Sequence, residues 1–139
     1  MMKKVTGLGG VFFKAKDPAA LQAWYEQHLG LKKSPFGVLF GWRPFDKPEE
    51  KACTLWTPFK ESTDYFGSGD QSYMINYRVE NLEALLAELQ AAGVTMAGEM
   101  QTYDYGKFGW IIDPEGRKIE LWEPIGGTFG DMAQEHSIY

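Results

Sequence analysis

The chain has 139 residues, 44% hydrophobic and 15% aromatic, with 14 basic against 19 acidic residues and a net charge of −5. Those figures fit one compact domain able to bury roughly 68% of its unfolded surface, and they leave no basic footprint for nucleic acid. The single cysteine, Cys53, excludes an internal disulfide and a thiolate-only zinc site, and it points to a reducing compartment.

At the start of the chain, Lys3 and Lys4 precede a short apolar stretch that Gly7, Gly9 and Gly10 interrupt and Lys14 ends. No run approaches the roughly 20 apolar residues that cross a bilayer. The expectation is a cytoplasmic protein with neither signal peptide nor membrane partner.

Two segments then share one grammar. Gly10 to Ala15 reads as a strand, Asp17-Pro18 as a cap, and Ala19 to Leu29 as a helix stopped by Gly30. Met74 to Val79, Asn81, Leu82 to Ala92 and Gly93 repeat that order. Asp17 and Asn81 offer side-chain oxygens to the free amides of the first turn, Pro18 suits its first position, and Gly30 and Gly93 permit a left-handed stop. Leu21, Trp24, Tyr25 and Leu29 fall on one helical face, as do Leu82, Leu85, Leu86 and Leu89. Further on, Phe40-Gly41-Trp42 answers Phe108-Gly109-Trp110, and Thr54-Leu55-Trp56-Thr57-Pro58 answers Glu120-Leu121-Trp122-Glu123-Pro124. Asp113-Pro114-Glu115-Gly116 is a hairpin turn signal.

The reading is an α+β domain of two tandem β-α-β-β-β modules, residues 9–58 and 72–125, with a polar linker at 59–71 and a tail at 126–139. One such module cannot bury both sheet faces. Paired edge to edge, two of them form a curved sheet with helices on its convex side and a concave cavity opposite.

The doubled strand-cap-helix-Gly order, with Asp113 to Leu121 as its most specific piece, resembles the vicinal oxygen chelate superfamily. That superfamily includes glyoxalase I, bleomycin-resistance proteins, fosfomycin-resistance transferases and extradiol dioxygenases. The resemblance spans residues 9–125 and implies the glyoxalase/bleomycin-resistance fold and a homodimer, sometimes with cavities built from both chains. It also implies four metal-ligand positions, which here are Gly10, Thr54, Met74 and Glu120. Only Glu120 ligates a divalent ion well, and a lone carboxylate falls short of a zinc or non-haem iron ligand set. No resident metal or other cofactor is expected.

Strand alternation sorts the remaining residues. Val11, Phe13, Ala15, Leu55, Ile75, Tyr77, Val79, Ile119 and Leu121 form an apolar set for the helices. Gly10, Phe12, Lys14, Thr54, Trp56, Met74, Asn76, Arg78, Glu120 and Trp122 then face the cavity, a mixture that suits a ligand pocket. Cys53 falls on the helix side as a small hydrophobe. His28 reads as a solvated helix-end histidine, and a role for His136 would require the tail to fold over the cavity.

Two function classes follow. The first is a small-molecule-binding protein in which Phe12, Trp56, Met74, Arg78, Trp110 and Trp122 surround a ligand and Glu120 fixes its polar group. The second is a lyase, isomerase or dioxygenase-type enzyme acting on a small oxygenated metabolite. It would be metal-free, with Glu120 as base and Asn76 or Tyr105 as oxygen stabiliser, or would use a metal at ligands not yet placed.

Overall fold

A computed structural model describes residues 3–67, 69–127 and 129–132. His136 therefore lies outside the described residues. Eight strands form one sheet: β1 Val5–Ala15, β2 Lys33–Ser34, β3 Gly37–Trp42, β4 Ala52–Lys60, β5 Tyr73–Val79, β6 Gln101–Tyr103, β7 Gly106–Ile112 and β8 Lys118–Pro124. Two helices, α1 Pro18–Leu29 and α2 Leu82–Ala91, follow β1 and β5, and residues 129–132 form a short helical turn. No helix among the described residues is long and apolar enough to cross a membrane.

The strand order β2-β3-β4-β1-β5-β8-β7-β6 reads the same outward from its centre in both modules. β1 pairs antiparallel with β5, placing Phe12 opposite Met74 and Gly10 opposite Asn76. An offset of 64 carries Gly10 onto Met74 and Phe12 onto Asn76, so the crosswise pairing is that of two copies related by a local two-fold. The two matched parallel pairings are β1 with β4, where Phe12 meets Thr57, and β5 with β8, where Asn76 meets Glu120.

The local signals act as expected. Asp17 accepts a hydrogen bond from the Ala20 amide at 3.1 Å, and Asn81 accepts one from Ala84 at 3.1 Å. Gly30 closes α1 at φ +71°, a left-handed conformation that glycine adopts without a Cβ penalty. At the hairpin, Asp113 Oδ1 accepts from the amides of Glu115 and Arg117, both at 2.9 Å.

The helices cover their face unequally. Under α2, Leu82 and Leu85 bury against Val79 and Leu121. α1 buries none of its residues, and Trp24 and Leu29 from its expected apolar face stay exposed. Two further buried clusters lie on the opposite face. One joins Leu39, Cys53, Trp122 and Phe129; the other joins Phe12, Phe66 and Met74. Phe66 comes from the segment read as a polar linker, and Phe129 from the tail. The face that sequence alternation assigned to a cavity is therefore roofed by the chain itself.

β4 corrects the alternation reading. Trp56 pairs with Val11 in the β1 ladder and packs on Phe13 and on Tyr25 of α1, so it faces the helices. Thr54 shares that parity, while Cys53 and Leu55 pack among the opposite-face residues. The Leu-Trp-x-Pro likeness of β4 and β8 is three residues out of phase with their ladders, and an odd shift turns every side chain over.

Candidate functional site

The floor of the site is made by β5, β7 and β8. Glu120 is 2% exposed. Its Oε1 accepts a hydrogen bond from Asn76 Nδ2 at 2.6 Å, while Oε2 accepts one from Trp110 Nε1 at 2.9 Å and another from the Tyr65 hydroxyl. In-register pairing supplies two of these contacts, since both Asn76 and Trp110 stand opposite Glu120 in neighbouring ladders. Two faces of one carboxylate are thereby met by side chains from rigid strands.

Tyr65 enters from the segment after β4. Its ring lies stacked on Phe59 with centroids 5.8 Å apart and meets Trp110 edge-on at 6.3 Å. Lys118 Nζ sits 5.3 Å above the Tyr65 ring and donates to the Tyr65 carbonyl at 2.9 Å. Next to it, Phe66 fills the space over Phe12 and Met74. Gln71 fastens the far end of the segment, donating to the Lys118 carbonyl at 2.9 Å and accepting from its amide at 2.8 Å.

Burial is the main influence on Glu120 and raises its pKa above the ordinary carboxylate value. The donors Tyr65, Asn76 and Trp110 and the charge of Lys118 oppose that rise without cancelling it. Burial, followed by the nearby Glu120 charge, pushes the Tyr65 phenol upward, so it remains a donor. Asn76 Oδ1 is buried with no hydrogen-bond partner among the described residues. It lies against the Gly9 backbone, where a Cβ would collide with it.

The other expected site residues divide into two groups. Phe12, Met74 and Trp110 join Asn76 and Glu120 beneath Tyr65 and Phe66. Arg78, Tyr105 and Trp122 instead line a separate cavity of about 310 Å³ with Cys53 and Phe129. Arg78 is paired there with Glu50 at 2.5 Å and lies 5.6 Å over the Trp42 ring. Tyr105 packs among Tyr103, Phe36, Phe108 and Phe129, and is not among the groups bonded to Glu120. Trp56 belongs to neither compartment, being on the helix face. Burial pushes the Cys53 thiol up to about 11 against the opposing charge of Arg78. Such a thiol is inert at neutral pH.

The four family-implied ligand positions do not assemble a donor set. Gly10 has no side chain, and Met74 is enclosed by Phe12 and Phe66. The Thr54 hydroxyl donates to the Leu8 carbonyl at 2.6 Å and accepts from Trp42 at 2.9 Å. Glu120 spends both oxygens on N–H and O–H donors. A divalent ion does not fit this arrangement. Among the described residues, no group of three His, Cys, Asp or Glu side chains is placed to hold one.

Tyr65 and Lys118 were not singled out by sequence reasoning. The signal for Tyr65 was a pair of large rings, Tyr65-Phe66, in the polar stretch that follows Phe59.

Comparison with known proteins bears on the whole arrangement. The family model described as a glyoxalase-like domain matches residues 10–122. A methylmalonyl-CoA epimerase from Mycobacterium tuberculosis superposes with a TM-score of 0.57 at 23% identity, covering 92% of this chain and 94% of its own. A variant of the Streptomyces coelicolor methylmalonyl-CoA epimerase, in complex with 2-nitronate-propionyl-CoA, gives 0.62 at 12% identity, with coverages of 86% and 97%. The Mn(II)-bound glyoxalase from Novosphingobium aromaticivorans gives 0.56 at 18% identity, covering 88% of this chain but 40% of the other. No curated protein sequence matches significantly. At these identities the structural likenesses establish the fold.

Proposed function

The chain belongs to the glyoxalase-like domain family of the vicinal oxygen chelate superfamily, and from that premise we propose that it is a metal-independent small-molecule-binding protein. Its ligand is held on the sheet face opposite the helices, with Glu120 as the polar anchor. The observation that carries this reading is a buried carboxylate hydrogen-bonded, among the described residues, only to the neutral donors Asn76, Trp110 and Tyr65, under a roof of aromatic rings. Such a group accepts hydrogen bonds strongly because little water competes for it. Phe12, Met74 and Trp110 supply the apolar walls, and Arg78, Tyr105 and Trp122 provide a neighbouring compartment of about 310 Å³ for the remainder of a larger ligand.

The test is a screen of small oxygenated metabolites by tryptophan fluorescence, with chelator and then with added zinc, nickel, manganese or ferrous iron. Ligands are expected whose affinity is unchanged by either treatment and falls about tenfold or more in Glu120→Gln. A hit that needs one tightly held metal ion per chain, or none that depends on Glu120, overturns the reading.

One observation favours a catalytic variant of the same site. A carboxyl whose proton burial holds more tightly than usual is a candidate for proton transfer. Enzymatic use of Glu120 as a base would appear as hydrogen–deuterium exchange at an acidic C–H of a bound ligand, abolished in Glu120→Gln.

The proposal extends to a cytoplasmic homodimer. Supporting it are the lone buried thiol and helix α1, which buries none of its residues while Trp24 and Leu29 are 51% and 59% exposed. A helix normally covers its apolar stripe against a neighbour.

A further inference from the structure

We infer that Tyr65 occupies the ligand subsite of its own chain: its phenol stands where a ligand hydroxyl would meet Glu120, so the site takes neutral flat rings bearing an O–H donor in competition with Tyr65. This rests on the reading of Glu120 as the ligand anchor and adds to it a ligand class and a self-blocking contact.

Of the three donors to Glu120, two stand on paired strands and belong to the permanent floor. The third, Tyr65, stands outside the sheet. Its surroundings would hold any ring of that size. Phe59 is parallel to it at an interplanar angle of 7°, Trp110 is perpendicular at 86°, and the Lys118 ammonium lies 5.3 Å over its face. Stacking and edge contacts reward a flat ring, and the cation rewards an electron-rich one. Glu120 sets the polar end. A ring with a hydroxyl restores the hydrogen bond that Tyr65 gives up, whereas a bare ring leaves a carboxylate lone pair unmet. A ring carrying a carboxylate brings a second negative charge against Glu120.

The exchange is local. Phe66 is 1% exposed and fixed over Phe12 and Met74, so it holds the backbone in place while the adjacent Tyr65 side chain turns outward.

Phenol, toluene and benzoate are the probes, titrated into the unmodified protein, Tyr65→Phe and Tyr65→Ala, each first shown folded by circular dichroism. Removing only the competing hydroxyl in Tyr65→Phe weakens the block against every ring, so phenol and toluene are both expected to bind about tenfold more tightly, with phenol remaining about tenfold ahead of toluene. In Tyr65→Ala, phenol is expected to bind about tenfold more tightly than toluene or benzoate. Should the variants fail to fold, the unmodified protein decides. Saturation with phenol shifts the indole N–H resonance of Trp110, which shares Glu120 Oε2 with Tyr65, and not that of Trp24.

Phenol affinity that is undetectable, unchanged in Tyr65→Phe, or no greater than toluene's in either variant overturns the inference, as does an unmoved Trp110 resonance. If screened metabolites still bind and still lose affinity in Glu120→Gln, only the Tyr65 assignment falls. Loss of that Glu120 dependence removes the parent reading.

Discussion

Among the described residues Glu120 is hydrogen-bonded only to neutral groups, and its burial beneath them sets its response to pH. Its folded pKa stands above the ordinary 4.5 because burial penalises the charge more than its donors and Lys118 relieve it. The folded chain therefore holds this proton more tightly than the unfolded chain. The stability contributed is fully present below pH 4.5 and is lost as pH rises through the raised folded value. Glu120→Gln cannot titrate. The melting temperature of the native chain, measured against this variant between about pH 4 and pH 8, is expected to be relatively highest at the acidic end. Each 1 kcal/mol corresponds to about 3 °C, and a flat difference across that range contradicts the assignment. Cys53 offers a second check. With its thiol pushed up to about 11, it is expected to react with a disulfide reagent at pH 7.5 only after denaturant is added.

At the scale of elements, the segment between β4 and β5 carries more of the architecture than its composition suggests. Phe66 is a keystone over Phe12 and Met74, and Phe66→Ala is expected to cost about 3–5 kcal/mol, measured by urea unfolding. Cap removal is milder: Asn81→Ala leaves the Ala84 amide without its partner and is expected to cost about 1 kcal/mol. The sequence made the strand-cap-helix units legible because capping, helical spacing and glycine stops are local chemistry. Glu120 and Asn76 on one face were legible through alternation within β8 and β5. The β4 assignment failed because a likeness between Thr54–Pro58 and Glu120–Pro124 says nothing about ladder phase, which only the pairing of Trp56 with Val11 determines. The Tyr65 contact, a long-range pairing across 55 positions, had no local pattern to announce it.

For the molecule as a whole, the strand order repeats outward from the β1–β5 pair and leaves an open margin at each end. The outermost strands, β2 and β6, are only two and three residues long, which suits edges guarded against unplanned pairing. The partly covered helix face is where assembly is expected instead. Light scattering at micromolar concentration should give twice the chain mass, and Trp24→Glu should return it to one. A monomeric native chain would remove the dimer from the proposal.

The two matched ladders have a further consequence. Backbone symmetry carries Asn76 and Glu120 onto Phe12 and Thr57, and Thr57 spends its hydroxyl on the Phe36 carbonyl at 2.9 Å. One half of the floor thus presents a carboxylate and an amide, while its twin presents a benzene ring. A near-symmetric scaffold has acquired a polarity, like a compass needle in a round case: any molecule lying across it has a greasy end and a hydrogen-bonding end, and only one way to lie.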